Sequence, residues 1–93
     1  MNTSVTNMIC TVQRLAIEVS NSTESDVIVQ YFGNAETFIV SWYVGGWDAC
    51  EGEYSHQQKV YLTSGTPREH RKQLRLIINK LSRIIEEARR ECG

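Results

Sequence analysis

The chain has 93 residues, of which 41% are hydrophobic and 23% charged, with one Pro and six Gly. This length leaves room for one hydrophobic core, so we expect a single domain over residues 1–93. The composition excludes a disordered or collagen-like chain. The apolar runs are too short for a membrane span, and the N-terminus lacks the pattern of a secretory signal. Three cysteines without a close pair fit a reducing compartment, so we expect a cytoplasmic protein.

Charge is distributed unevenly along the chain. The formal net charge is −1, but residues 1–65 carry seven acids and two bases, whereas residues 66–93 carry four acids and eight bases. The first part therefore has a net charge of −5 and the second a net charge of +4. We expect a folded molecule with an acidic side and a basic side.

The first predicted element is a helix over about residues 4–19, because apolar residues recur every three or four positions from Val5 to Val19. The polar segment 20–26 predicts a solvated loop. Strands follow at about 26–33, 37–44 and 54–63, where β-branched and aromatic residues concentrate, and the first two read as a hairpin.

The second helix has the best-marked boundary. Thr66 is placed as the N-cap, Pro67 as the first helical residue and Glu69 as the third position of a capping box. Helical apolar spacing then continues, so the helix is predicted over about 67–91. The order αβββα predicts an α+β fold, a three-stranded antiparallel sheet with two amphipathic helices packed on one face. Three residues of this helix are expected in the core: Ile77, Leu81 and Ile84.

Basic residues occupy the side of the second helix opposite its apolar side: Arg68, Arg71, Lys72, Arg75 and Arg83. We call these five residues the basic stripe. Six bases and one acid lie between Arg68 and Arg83, where the positive end of the helix dipole adds to the attraction for anions. Leu76 is expected to be exposed beside them. The stripe is therefore a candidate surface for a partner, or alternatively an ordinary solvated face.

Two further surfaces are candidates. The sheet face turned away from the helices is predicted to carry Tyr43 and Tyr61, and it could stack bases, accept a protein or form a homodimer, or reflect ordinary sheet packing. The loop 45–53 carries the acids Asp48, Glu51 and Glu53 around Trp47. Trp47 is either an anchor for a basic partner or a lid on the edge of the core. Because the third strand runs from this loop to the second helix, the loop is expected at the opposite end of the sheet from the start of that helix.

Motifs for catalysis are missing from the sequence. Cys50 and His56 form one pair without the companion ligands that a zinc site needs. His70 lies on the apolar side of its helix, where we expect a histidine that is buried or at the edge of the core. We therefore expect a non-enzymatic protein without a metal or cofactor.

The αβββα order and the basic segment from Thr66 to Lys72 resemble double-stranded RNA-binding domains, in which the first turn of the last helix contacts phosphates. The chain departs from that family at Leu76, Ile77 and Ile78, where the family has small alanines. The loop between the first two strands also lacks the Gly-Pro-x-His signature.

The combination of a short chain, no catalytic motif and separate acidic, basic and aromatic surfaces is similar to small phage-encoded anti-CRISPR proteins. That resemblance implies a non-catalytic inhibitor in the host cytoplasm that docks on a CRISPR surveillance complex and blocks target DNA binding. The loop around Trp47 would contact basic subunit surface. The basic stripe would contact guide-RNA phosphates or acidic subunit residues. The alternative is a stand-alone RNA-binding or DNA-binding module.

Overall fold

A computed structural model describes residues 2–92, with side chains through residue 91. The elements are α1 (Thr3–Ser22), β1 (Asp26–Phe32), β2 (Thr37–Tyr43), β3 (His56–Tyr61) and α2 (Pro67–Cys92). The strands form one antiparallel sheet in the order β1-β2-β3. The predicted α+β architecture is thereby confirmed. Neither described helix has the apolar length that crossing a bilayer would require.

Both ends of α1 are capped by side chains. Its first turn is capped by Asn2, whose side-chain oxygen accepts hydrogen bonds from the backbone N–H groups of Ser4 and Val5. At the other end, the N–H and the hydroxyl of Thr23 both donate to the Val19 carbonyl. The helix therefore continues to Ser22, and the prediction that residues 20–22 belong to a loop is wrong. Their polar side chains are exposed, so this last turn needs no apolar residue.

The helix α2 begins at Pro67, as predicted. The Thr66 hydroxyl accepts the Glu69 N–H at 3.2 Å, which satisfies one of the free donors of the first turn. His70 is buried near this end, and its Nε2 lies 2.6 Å from the Ser64 carbonyl oxygen. The loop before α2 is therefore bonded to the side chain of a buried histidine. The burial of His70 agrees with its predicted position on the apolar side of the helix.

The core lies between the two helices and one face of the sheet. Phe38, Val40 and Trp42 are buried on β2, and Val60 is buried on β3. The helices contribute the other buried members of this cluster: Val5, Val12, Leu15, Val19, Leu74, Ile77, Leu81 and Ile85. The predicted core positions Ile77 and Leu81 are confirmed. Ile84 is only half-buried, because it lies at the edge of α2 where a surface cleft opens.

The strands are shorter than predicted. The strand β2 ends at Tyr43, because Gly45 and Gly46 take φ values of 87° and 108° and the Gly46 N–H bonds to the Tyr43 carbonyl. Val44, the last residue of the predicted strand, lies in this turn and is exposed. The strand β3 spans His56–Tyr61 rather than residues 54–63.

Candidate functional site

The sheet leaves one face free of helices. Its strand register places side chains on that face in three-residue rows across β1, β2 and β3. One row holds Phe32, Thr37 and Tyr61, the next holds Gln30, Ile39 and Lys59, and the third holds Ile28, Ser41 and Gln57. Ile28, Phe32 and Tyr61 are exposed large apolar residues. We call this surface the open sheet face.

Trp47 covers one end of the open sheet face. Its ring lies over Tyr43 with centroids 5.0 Å apart and an interplanar angle of 54°. Tyr43 is consequently only 6% exposed, so the prediction that its ring is available to a partner is wrong, whereas Trp47 itself is 48% exposed. Trp47 thus serves as a lid over the open sheet face and not over the helical side. Half of its side chain remains accessible to a partner.

The loop that carries Trp47 is held in place by hydrogen bonds. The Trp47 N–H donates to Asp26 Oδ2 at 2.8 Å, and the Gly45 N–H donates to the Ser25 hydroxyl at 3.2 Å. Within the loop, the Gly52 N–H bonds to the Trp47 carbonyl and the Cys50 thiol bonds to the Val44 carbonyl. Its three acidic residues are all exposed: Asp48, Glu51 and Glu53. The loop therefore presents Trp47 and its carboxylates on an ordered backbone.

The basic stripe lies on the outer side of α2. Arg68, Lys72, Arg75 and Arg83 are exposed and Arg71 is half-buried. Within the described chain the structure has one salt bridge, and it joins Arg89 to Glu18 at 3.1 Å rather than involving the stripe. The bases of the stripe are therefore not neutralised by ion pairs with other described residues.

Two neighbours of the stripe differ in their surroundings. Leu76 is 55% exposed, which agrees with its prediction as an apolar residue on the basic side. The Lys80 ammonium lies 5.7 Å from the centroid of the buried Trp42 ring, in cation–π geometry. Lys80 thus covers the core, whereas Leu76 makes an apolar spot among charges. The contact of Lys80 with Trp42 is tertiary, so helical spacing alone did not reveal it.

A cleft of about 590 Å³ opens at the end of the molecule that carries the Trp47 loop. Its walls are residues 22–25, the turn at Val44 and Gly45, and the last third of α2. The α2 wall combines apolar and acidic side chains: Ile84, Glu87, Ala88 and Glu91. The sequence did not predict this cleft, because it forms between segments that are distant along the chain.

The position of the cleft shows at which end of the molecule the acidic residues lie and at which end the first turns of α2 lie. Because the last third of α2 lies beside Val44 and Gly45, the first turns of α2 lie toward the other end of the molecule. Acidic residues collect at the cleft end from three segments, namely Glu24, Asp48, Glu51, Glu53, Glu87 and Glu91. They outnumber the two bases of the same last turn of α2, Arg89 and Arg90. The stripe residues Arg68 to Arg75 lie at the opposite end. We call these two regions the acidic end and the basic end.

No metal centre is formed by the residues whose side chains are described. No three His, Cys, Asp or Glu side chains among them come together as ligands. Cys50 bonds to the Val44 carbonyl and lies 3.6 Å from the Ser55 hydroxyl, and His56 lies against Trp42 with ring centroids 5.8 Å apart. Cys10 is exposed on α1, and the Cys92 side chain lies outside the described part of the chain.

Comparison of the chain with protein family models, with curated proteins and with solved structures found no match. The function must therefore be argued from the surfaces described above.

Proposed function

We propose that this protein is a non-catalytic binding protein that docks on an RNA-guided nucleic-acid-handling complex and blocks its binding of target DNA, as anti-CRISPR inhibitors do. The observation that carries the proposal is the separation of unpaired charge. The basic stripe has no carboxylate partner in the described structure, and the acidic end has an exposed Trp47 at its centre.

The basic stripe supports a contact with phosphates. Four of its five residues are exposed along one side of α2, and guanidinium groups bind phosphate oxygens in bidentate geometry. Leu76 lies among these bases with 55% of its surface exposed, and an apolar spot among charges fits a partner that combines protein and RNA. In such a complex the guide RNA supplies phosphates and the subunits supply apolar contacts.

The acidic end supports a contact with a basic protein surface. Surveillance complexes hold nucleic acid through positively charged subunit surfaces, and a ligand that competes for such a surface needs ordered negative charge. The hydrogen bonds from Trp47 to Asp26 and from Gly45 to Ser25 provide that order. A preorganised loop loses little conformational entropy on binding. Trp47 can then act as a buried anchor within a ring of carboxylates.

The test is a competition experiment with purified, guide-loaded surveillance complexes and a labelled target duplex DNA. The wild-type protein should bind the complex and prevent the DNA mobility shift. The double variant Arg75→Ala/Arg83→Ala should weaken complex binding and flatten its salt dependence by about 0.7 to 0.9 log units per lost phosphate contact. The control double variant Arg14→Ala/Lys59→Ala makes the same charge change at exposed positions away from the stripe and from the acidic end, and it should bind as wild type does.

The same competition experiment tests the proposed contact made by the acidic end. Trp47→Ala should weaken complex binding by more than about 1 kcal/mol if Trp47 is an anchor. Tyr54→Ala is the matched control, because Tyr54 is an equally exposed aromatic residue of the same loop region. The proposed function is wrong if the wild-type protein leaves DNA binding by these complexes unchanged.

A second candidate function is direct binding of duplex RNA. The observation that favours it is the exposed basic first half of α2 after an antiparallel sheet, the arrangement of the double-stranded RNA-binding domains described above. The same variants distinguish it, because naked duplex RNA should then bind to the wild-type chain and be released by Arg75→Ala/Arg83→Ala. An inhibitor of the complex should ignore free RNA, since its net charge is −1.

A further inference from the structure

The cleft beside the last third of α2 has no role in the contacts proposed so far. Its volume of about 590 Å³ falls within the range of about 300 to 1,000 Å³ that ligand-binding sites occupy. Part of its surface is apolar, because Val44 is exposed in the turn after β2 and Ile84 and Ala88 are half-buried on α2. Such a surface suits the aliphatic part of a ligand.

The charged side chains that line the cleft are negative. Glu24, Glu87 and Glu91 are exposed in its walls, and no described lysine or arginine lines it. The two bases in the last turn of α2 lie outside these walls, and one of them, Arg89, is paired with Glu18. The cleft therefore favours a positively charged ligand.

The end of α1 adds to this negative potential. Ser22 and Thr23 line the cleft where the helix ends, and a helix C-terminus carries about half a negative charge. The last turn of α1, which lies within the described chain, contains no base that would compensate this charge. The dipole belongs to the backbone and is independent of the glutamate side chains. Two separate sources of negative potential thus meet at one partly apolar cleft.

The spacing of the carboxylates decides which kind of cation fits. Among the described side chains, no three acidic, histidine or cysteine groups lie close enough together to hold one metal ion. The glutamates of the cleft come from α2 and from the segment before β1, so they match a ligand whose positive charges are spread along its length. The same glutamates repel the phosphates of a nucleic acid.

We propose that the cleft binds a basic segment of a partner protein. The aliphatic part of a lysine or arginine side chain lies on Val44, Ile84 and Ala88, and its charged group lies near the glutamates of the rim. This inference rests on the proposed function only for the identity of the partner, which is then a basic subunit of the surveillance complex. Binding of a basic peptide to the cleft can be measured without that complex.

The first test is binding of fluorescein-labelled hexalysine at low salt, followed by fluorescence anisotropy. The wild-type chain should bind the peptide, and Glu87→Gln should weaken binding at least about threefold because it removes a charge from the cleft. Glu86→Gln is the matched control, because it makes the same charge change at an exposed residue of α2 that does not line the cleft, and it should bind as wild type does.

A second pair of variants tests the end of α1. Ser22→Arg should weaken hexalysine binding at least about tenfold, because it places a base in the cleft. Asn21→Arg is its control, since it makes the same charge change at the preceding exposed residue, which does not line the cleft, and it should change binding by less than about twofold. Circular dichroism verifies that all four variants are folded.

A peptide with shorter side chains tests the apolar part of the cleft. The hexamer of 2,4-diaminobutyric acid carries the same number of ammonium groups on shorter stems, so it should bind at least about threefold more weakly than hexalysine. Equal binding of the two peptides, equal losses in Glu87→Gln and Glu86→Gln, or no hexalysine binding by the wild-type chain would overturn the proposal. Tighter binding of spermidine than of hexalysine would assign the cleft to a free polyamine and would equally overturn it.

The competition experiment with the surveillance complex separates this inference from the proposed function. If both are correct, Glu87→Gln should weaken the competition with target DNA and Glu86→Gln should not. Hexalysine binding that depends on Glu87, in a protein that leaves DNA binding by the complex unchanged, would support the cleft and contradict the proposed function. Competition by Glu87→Gln and Ser22→Arg at the wild-type level would instead support the proposed function and overturn the cleft as its contact.

Discussion

Two leucines of α2 allow a direct test of the core. Leu81 is 0% exposed within the cluster that includes Phe38 and Val60, whereas Leu76 is 55% exposed on the same helix. The change Leu→Ala removes the same atoms at both positions and has the same small effect on helix propensity. Any difference between the two variants therefore reports burial alone.

The magnitude follows from the packing. Truncating a fully buried leucine to alanine removes its transfer free energy and leaves a cavity, at a cost of about 2 to 5 kcal/mol. A domain of this size has a total free energy of unfolding of about 5 to 14 kcal/mol. Leu81→Ala should therefore remove a large part of the stability and lower the melting temperature by at least about 8 °C. Leu76→Ala should change the free energy of unfolding by no more than about 0.5 kcal/mol.

The assay is urea denaturation followed by far-ultraviolet circular dichroism, with the midpoint and the slope fitted separately. A lower midpoint at unchanged slope for Leu81→Ala, with a midpoint like that of wild type for Leu76→Ala, is the expected result. Equal losses at the two positions would show that α2 does not turn Leu81 toward the sheet. The arrangement of core and stripe on α2 would then be wrong.

Two further predictions concern the loop that carries Trp47 and the start of α2. Gly46→Ala should lower the free energy of unfolding by more than about 1 kcal/mol, because φ is +108° and an added Cβ would lie 2.9 Å from the Glu24 carbonyl oxygen. The control is Gly33→Ala, whose Cβ would have no contact closer than 3.8 Å, and it should melt at nearly the temperature of the wild type. Arg68→Glu should raise the free energy of unfolding by about 0.3 to 1 kcal/mol, because an acid suits the N-terminal helix dipole. Arg83 lies far from that end of α2, so Arg83→Glu should lack this gain in the free energy of unfolding. Thermal denaturation at low salt measures all four variants.

Much of the fold could be predicted because local signals agree with tertiary contacts. Helical spacing marks the buried side of α2, including Ile77 and Leu81, and the Thr66–Pro67 pair marks its first residue. Alternation along β2 correctly separates Phe38 and Val40 from the opposite face. In these segments one periodic pattern satisfies both the backbone geometry and the burial requirement.

The errors lie where contacts join segments distant along the chain or where a turn interrupts a pattern. Tyr43 follows the alternation of an exposed position, yet Trp47 covers it after the turn at Gly45 and Gly46. Val44 continues the apolar pattern of β2 but falls inside that turn and is exposed. The cleft beside Ile84 likewise depends on where α2 passes the turn. None of these contacts has a periodic signature in the sequence.

The basic end of α2 runs against the usual preference of helix termini. The N-terminus of a helix carries a partial positive charge, so acids are favoured in its first turn and bases in its last. In the last turn, Arg89 and Arg90 follow this rule. In the first turn only Glu69 follows it, while Arg68 is placed unfavourably and the next turn adds Arg71 and Lys72. These bases have no ion-pair partner in the described structure and do not favour helix formation at this end. Their placement does not serve the stability of the fold, and the proposed contact with phosphates would account for it.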